Sequence, residues 1–545
     1  MDQYRVAKRN LSMMIDQKVN QWGLDLVDFA IISVLLFLFA RFIYKNFNRF
    51  KQKRYYIGIK RAVVQSFLKL PFANKEINRK IEEERKGFIK DFRSKNPTEL
   101  QEELNDEPLS WDQIDTKLQI LNKPDAEIKK TGKNTGEYYT PDESDWEQQI
   151  VKRSGKYLYY NLLHVDHLVG MRQAESELIN FFIKMMNGDE EATGTTTSGG
   201  TESILLSILA YRNYARDVKG ITEPELIMPE SIHSAFLKGC HYFGIKPVLV
   251  PLDKSTWVVN LNKLKNMTSS NTIAICVSAG NFPHGLVDPI EQVCVFAQSR
   301  DIPVHVDCCL GGYSMLFGKE LGFDVPEHSF KLPAVHSISI DPHKYGMAPK
   351  GISLALFRNR QIKQASIFVQ ETWQGGVYGT ATISGSKQTA SCIGAWIATL
   401  KLGKQGLKQA VLEIHDGLFS ILSGLKELQG VTIMGNPQLN TFAFYIKDRP
   451  YDILQLGEGM IRKGWSIAML QFPSALHFSL TMANLKVAKE QFVIDVTEVH
   501  KSLEENPKLY EDSKNATIYC TKLKIPDSSI LEKVIKTCIA EMSVA

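Results

Sequence analysis

Three short polar segments, each at the end of an apolar run, carry the residues of this 545-residue chain most able to do chemistry together. In HSISIDPHKYGMAPKG (336–351), Asp341, Pro342, His343 and Lys344 follow a strand-like run. Lys344 reads in one of two ways: as a solvated surface charge, or as an amine held among apolar neighbours, with a lowered pKa, that forms a Schiff base. In VHVDCCLGG (304–312), an apolar run ends at Asp307 and enters a glycine turn. That carboxylate either caps the turn or pairs with a ring nitrogen and keeps it protonated, as an electron-sink cofactor requires. In TTTSGGTES (195–203), Gly199 and Gly200 allow close backbone approach, Thr201 or Ser203 offers a hydroxyl, and free N–H groups open the following helix. Such a segment is a phosphate cup or an ordinary helix start.

Two histidines stand in similar places. His233, in MPESIHSAF, follows a strand-like run and opens a helix, as a structural histidine or a site residue. His284, in NFPHGLVDP, sits in a loop stiffened by Pro and Gly and could orient or transfer a proton. His164 and His167 lack acidic or cysteine partners at metal-site spacing, so no metal site is expected. No G-x-S-x-G elbow occurs.

Positioning such residues takes a sheet whose strand ends share one edge. Between about residues 150 and 390, the runs ELIMP, KPVLVPL, TIAICVSA, IPVHVD and AVHSISI alternate with helical segments such as 171–186 and 202–216. Apolar strands without clean alternation, separated by amphipathic helices, specify a mainly parallel sheet covered on both faces. Its carboxyl edge is where such proteins bind ligands. Further strands (VTIMG, NTFAFYI) and helices follow, as in a smaller α/β domain.

Lys and Arg number 65 against 60 Asp and Glu, with no basic tail or stripe, so nucleic acid is not an expected partner. The 8 cysteines form neither ligand pairs nor a disulfide framework, which fits a reducing compartment. Near the start, the uncharged run from Phe29 to Ala40, extended by its flanks to about 20 residues, reads as one membrane span. Arg41, Lys45, Arg49, Lys51, Lys53 and Arg54 follow it, placing the large domain in the cytoplasm.

Taken in order, SGGTES, ESIHSAF, NFPHG, HVDCCLGG, SISIDPHKYGMAPKG and KGWSIAMLQFPSALHF resemble the sphingosine-1-phosphate lyase family over about residues 130–480. That family lies among the fold-type-I pyridoxal-phosphate (PLP) enzymes, related to the group II amino acid decarboxylases. The resemblance implies an α/β fold in segments: a lumenal stretch 1–23, a transmembrane helix 24–46, a linker and arm 47–150, a large PLP-binding domain 151–390 with a mainly parallel seven-stranded sheet, and a small domain 391–545. It implies PLP as cofactor, a homodimer with shared active sites, and single-pass placement in the endoplasmic reticulum membrane. By the same resemblance Lys344 is the Schiff-base lysine, Asp307 the partner of the pyridine nitrogen and His233 the histidine stacked on the ring. Gly200 and Thr201 match the phosphate cup, with His343 close by. Lys350 is similar to the lysine that helps hold the substrate phosphate, and Tyr139 and His164 to the pair completing the substrate side.

Three segments depart from the family pattern: Val165, Leu168 and Val169 replace two prolines and an aromatic, Pro342 replaces a threonine, and Lys387 an arginine. The implied reaction is retro-aldol cleavage of a phosphorylated long-chain (sphingoid) base to a fatty aldehyde and phosphoethanolamine. The rivals are an amino acid decarboxylase and a weakly active paralogue serving as an interaction protein.

Overall fold

The computed structural model describes residues 78–510 and 528–541, apart from 80, 84, 88, 91, 92, 95, 102 and 142–144. The chain divides into two compact units, Met1–Asn122 with Leu523–Ala545, and Lys123–Lys522. In the first, the helix Ser528–Glu541 carries a Lys536–Glu532 pair one turn apart. The second holds both of the larger sheets.

Its centre is a sheet of strands β1 (Thr193–Thr197), β2 (Glu225–Pro229), β3 (Lys246–Val250), β4 (Thr272–Ser278), β5 (Val304–Asp307), β6 (Val335–Ile340) and β7 (Ser353–Phe357). Their order is β1-β7-β6-β5-β4-β2-β3. The strands from β2 to β6 pair in parallel, whereas β7 is antiparallel to both β1 and β6. The expected mainly parallel seven-stranded sheet is thus mixed, with one reversed strand. The reversal has a use: β6 returns as β7 through the short segment 341–352, which holds Lys344 at the sheet edge.

Why these runs are strands is visible in β4, TIAICVS, every residue of which is buried. Ile275 and Val277 join the core on one face, and Cys276 joins the core on the other, with Leu226, Met228 and Phe236. β-Branched side chains fit this doubly covered surface, and each such side chain buried stabilises the fold by about 1.5–3 kcal/mol. Because β1 to β6 run one way, Thr197, Pro229, Ser278, Asp307 and Ile340 end on the same edge.

The helical segment Thr389–Lys426, kinked at Gly403, leads to a second sheet of β10 (Val431–Ile433), β11 (Thr441–Ile446), β12 (Ala468–Leu470) and β13 (Ala475–Ser479), all antiparallel in the order β10-β11-β13-β12. Its aromatic centre packs Phe478 on Phe492 at 4.5 Å and Trp465 on Phe492 at 5.1 Å, while Trp465 Nε1 donates to Asp495 at 2.8 Å. A small hairpin, β8 (Phe368–Gln370) with β9 (Tyr378–Thr380), leaves Phe368, Val369, Trp373 and Val377 exposed.

The transmembrane helix expected over 24–46 lies outside the described residues, and among those no helix is long and apolar enough to cross a membrane. The stretch Thr389–Lys426 is two helices that meet at a kink at Gly403, and Lys401, Lys404, Lys408 and Glu413 interrupt its apolar residues. The expected span thus has no counterpart among the described residues, and the membrane contact and single-pass endoplasmic-reticulum placement that rested on it are not carried further.

Candidate active site

A cavity of about 510 Å³ opens at the carboxyl edge of the main sheet, and Lys344, Asp307, His233, Gly200, Thr201, His343 and Tyr139 all line it. Seven residues scattered through the sequence from 139 to 344 therefore converge. Each arrives for a local reason.

At the end of β1 the chain turns through Ser198 and Gly199 into the helix Gly200–Lys219. A Cβ on Gly200 would lie 2.8 Å from Asp341 Oδ2 and 2.9 Å from Cys309 Sγ, so only glycine permits this approach. Ser203, one of the two hydroxyls expected to serve an anion, instead points inward, 2.7 Å from Thr197 Oγ1 and 2.8 Å from Ser353 Oγ, and ties β1 to β7. Thr201 keeps the cavity position. Glu202 was not anticipated. Its Oε2 accepts from the N–H and hydroxyl of Ser198, both at 2.7 Å, and its Oε1 accepts from Ile383 N–H at 2.9 Å, clamping the glycine loop to the segment after β9.

Asp307 closes β5 with 7% of its surface exposed, and its Oδ1 accepts from Cys309 N–H at 3.0 Å and Ser339 Oγ at 3.1 Å. His233 caps the helix Ser234–Phe243: its Nδ1 accepts from Ala235 N–H at 3.2 Å, which leaves the hydrogen on Nε2. Burial pushes its pKa down, against the opposing pull of Asp307, so the ring is neutral.

Beyond β6, the buried Asp341 puts Oδ2 3.0 Å from Lys344 Nζ and 3.7 Å from His343 Nε2. His343 Nδ1 donates to the carbonyl of Ile352, which fixes its ring. The Lys344 pKa moves opposite to the sequence-based expectation. Burial works to lower it, but the Asp341 carboxylate more than reverses that, and the free amine is an ammonium. The sequence expectation took in the apolar neighbours and missed the carboxylate three residues before the lysine.

Tyr139 is buried, meets Tyr345 edge-on at 5.2 Å, and has its pKa pushed up to about 12 by burial. Lys350 Nζ stands 4.5 Å from the centre of the Tyr139 ring; burial, then the charge of Lys344, lower its pKa to about 8. His164 is not brought to the cavity: it lies on an exposed turn, its N–H bonded to Asn161 O at 3.1 Å. His284 is also absent from the cavity wall, buried against Trp257 at 5.8 Å behind Phe282, which takes the wall position. Lys387 forms an ion pair with Glu175 and lies 3.4 Å from Thr195 Oγ1, so the lysine in place of arginine is held inside the chain.

These residues fit a phosphorylated pyridine aldehyde. A glycine loop at a helix start suits the phosphate, an ionisable carboxylate at a strand end suits the ring nitrogen, and a lysine amine suits the aldehyde. Among the described residues none hydrogen-bonds buried Asp341 Oδ1, an acceptor open to a donor brought by a ligand.

Comparison with known proteins agrees with this reading. Residues 170–447 match the family model described as the pyridoxal-dependent decarboxylase conserved domain. Sphingosine-1-phosphate lyase 1 of Rattus norvegicus is 33% identical over 87% of this chain and 83% of its own length. The sphingosine-1-phosphate lyase of Saccharomyces cerevisiae is 37% identical over 70% of this chain and 65% of its own. Among solved structures, a sphingosine-1-phosphate lyase of Burkholderia pseudomallei superposes with a TM-score of 0.72 at 30% identity, covering 75% of this chain and 94% of that one. A glutamate decarboxylase of Lactobacillus brevis shares the fold, with a TM-score of 0.65 at 19% identity over 75% of this chain and 96% of that one. With its fold, its cavity and these relatives in agreement, the chain belongs to the sphingosine-1-phosphate lyase family and is a PLP-dependent lyase of long-chain-base metabolism.

Proposed function

We propose that this cavity cleaves a phosphorylated long-chain base, a 2-amino-1-phosphate with a 3-hydroxyl, between C2 and C3, releasing a long-chain aldehyde and phosphoethanolamine. The observation that carries the proposal is the single cavity in which Lys344, Asp307, His233, Gly200, Thr201 and Tyr139 meet, with Lys350 on the ring of Tyr139. PLP, when bound, supplies an aldehyde that condenses with amines and a ring that accepts the electron pair freed as the C2–C3 bond breaks.

Lys344 is the residue proposed to hold the cofactor and to be displaced by the substrate amine. Asp307 would face the ring nitrogen, and neutral His233 would lie against the ring. Gly200, Thr201 and His343 are assigned to the cofactor phosphate. The two proton movements, loss from the 3-hydroxyl and gain at C2, fall to Lys344 and Tyr139. Burial keeps Tyr139 protonated, so it donates; Asp341 favours the ammonium of the freed Lys344, so Lys344 takes the 3-hydroxyl proton only once its own proton has left. Lys350 would neutralise the substrate phosphate.

His164 enters this scheme through a second copy of the chain. It shares an exposed turn region with Tyr159, which is 98% exposed, and the β8–β9 hairpin presents further apolar side chains, the kind of surface a homodimer covers. A monomer by analytical ultracentrifugation would remove His164 from the site.

Purified protein loaded with PLP is expected to release aldehyde and phosphoethanolamine in equal amounts from a phosphorylated sphingoid base, and the Lys344→Ala variant none. Carbon dioxide from amino acids without aldehyde would favour the decarboxylase reading. Absence of both would favour the interaction protein.

A further inference from the structure

Behind Asp307 runs a line of hydrogen bonds that the reaction scheme above does not use. The β5–β6 register sets His305 opposite Ser337 and Asp307 opposite Ser339. Side chains two apart on a strand share a face, so all four point the same way. His305 Nε2 is 3.2 Å from Ser339 Oγ, and its Nδ1 is 2.7 Å from Ser337 Oγ. Ser337 in turn meets the hydroxyl of Tyr211, which the helix Gly200–Lys219 lays over this face. Phe236 packs edge-on against the His305 ring at 5.4 Å. Ser337, Ser339 and His305 are wholly buried, and Tyr211 is nearly so.

The direction of every proton in this line follows from its last member. Asp307 Oδ1, which also takes the Cys309 N–H, is an acceptor, so Ser339 donates to it. The Ser339 oxygen then accepts from His305 Nε2–H. His305 Nδ1, left with its lone pair, accepts from Ser337, whose oxygen accepts from Tyr211; the same hydroxyl also lies 3.4 Å from the Val304 carbonyl, a longer and weaker contact. The result is a series of neutral donors all directed at one carboxylate oxygen, each polarising the next. Among the described residues none donates to Oδ2, so that oxygen is left for the cavity.

The other titratable groups around Asp307 do not compete. Cys276 on β4, with Cys308 and Cys309 just past β5, is kept as a thiol by burial. His305 is kept neutral by burial, as is His233 at the start of its helix. Across the cavity Asp341 and Lys344 neutralise each other.

We propose that His305 is a positioning residue of this active site: through Ser339, with Ser337 and Tyr211 behind it, it holds the Asp307 carboxyl oriented and hydrogen-bonded at Oδ1 and so tunes the proton affinity of the cofactor's ring nitrogen. The inference rests on the assignment of Asp307 to that nitrogen.

The test uses holoenzyme loaded with PLP labelled with ¹⁵N in the ring, following the ring-nitrogen NMR signal and the visible absorbance of the bound cofactor across pH. Loss of a hydrogen bond to a charged group is expected to lower the ring-nitrogen proton affinity about tenfold, or about one pH unit, in Ser339→Ala and His305→Phe. Tyr211→Phe shifts it less, in the same direction. His305→Gln, which keeps one donor and one acceptor, stays near wild type, and kcat falls with the proton affinity while KM holds. If Asp307→Asn moves the ring-nitrogen signal but Ser339→Ala and His305→Phe do not, the relay is refuted and the Asp307 assignment stands. If Asp307→Asn leaves the signal unmoved, the assignment itself fails. Should His305→Phe not fold, Ser339→Ala decides alone.

Discussion

Replacing Asp341 with Asn removes one charge beside Lys344 while keeping the shape of the side chain. The carboxylate lies 3.0 Å from the amine and is buried. Unit charges about 4 Å apart in a medium of effective dielectric about 20 interact by on the order of 4 kcal/mol, equivalent to about three pH units. In the wild type this attraction holds the Lys344 pKa above its ordinary value in spite of burial; without it, burial acts unopposed and the pKa falls below that value. The sign for stability follows. A raised folded-state pKa contributes stability that is fully present below the unfolded value of about 10.4 and is lost as pH rises through the folded one. In Asp341→Asn that contribution disappears, and the unpaired, partly buried ammonium costs up to about 3 kcal/mol at neutral pH. The assay mixes apoprotein with PLP and follows the visible band by stopped flow over a range of pH. Only the free amine attacks an aldehyde, so the wild-type rate should still be climbing at high pH. The Asn variant should level off about three units lower and unfold at lower urea concentration. An unchanged pH profile in the Asn variant would refute the claim that Asp341 governs this lysine.

Other outcomes follow from the same geometry. Gly200→Ala forces a methyl group into the 2.8 Å approach to Asp341, so it should destabilise by about 1–3 kcal/mol in urea and lower the PLP retained after dialysis. Glu175→Gln strands the partly buried Lys387 and should cost about 3 kcal/mol in urea titrations, whereas exposed pairs such as Arg79–Glu83 should cost under about 1 kcal/mol. Lys350, with its pKa lowered to about 8, loses its charge as pH rises through that value. The KM for the phosphorylated base should therefore climb above about pH 8, and Lys350→Gln should raise KM with a flat pH dependence in steady-state assays.

The sheet and the convergence of Lys344, Asp307, His233 and Gly200 were legible because strand ends announce themselves: an apolar run followed by Gly, Pro or a polar residue. What the sequence hid was whatever depends on which way a side chain turns. Asp341 looked like part of a turn, and only the return of β6 into β7 aims its carboxylate at Lys344, reversing the expected direction of the lysine's pKa. His284 and Phe282 sit two residues apart in one stiff loop, and burial chose the phenylalanine for the cavity wall. Glu202 reads as an ordinary first-turn acid until the loop after β9, nearly two hundred residues on, is seen bonded to it. His305 hides in HVD as a strand residue, and its part depends on register with Ser337 and Ser339. His164 aligned with a family motif, but the turn that carries it lies on the surface of a single chain.

The central claim is that Lys344 carries the cofactor, and reduction of the PLP-loaded protein with borohydride followed by peptide mass mapping tests it most directly. The expected result is one pyridoxyl group per chain, on the peptide containing Lys344, with the visible band gone in Lys344→Ala. A pyridoxyl group on another lysine, with the band retained in Lys344→Ala, would contradict the account.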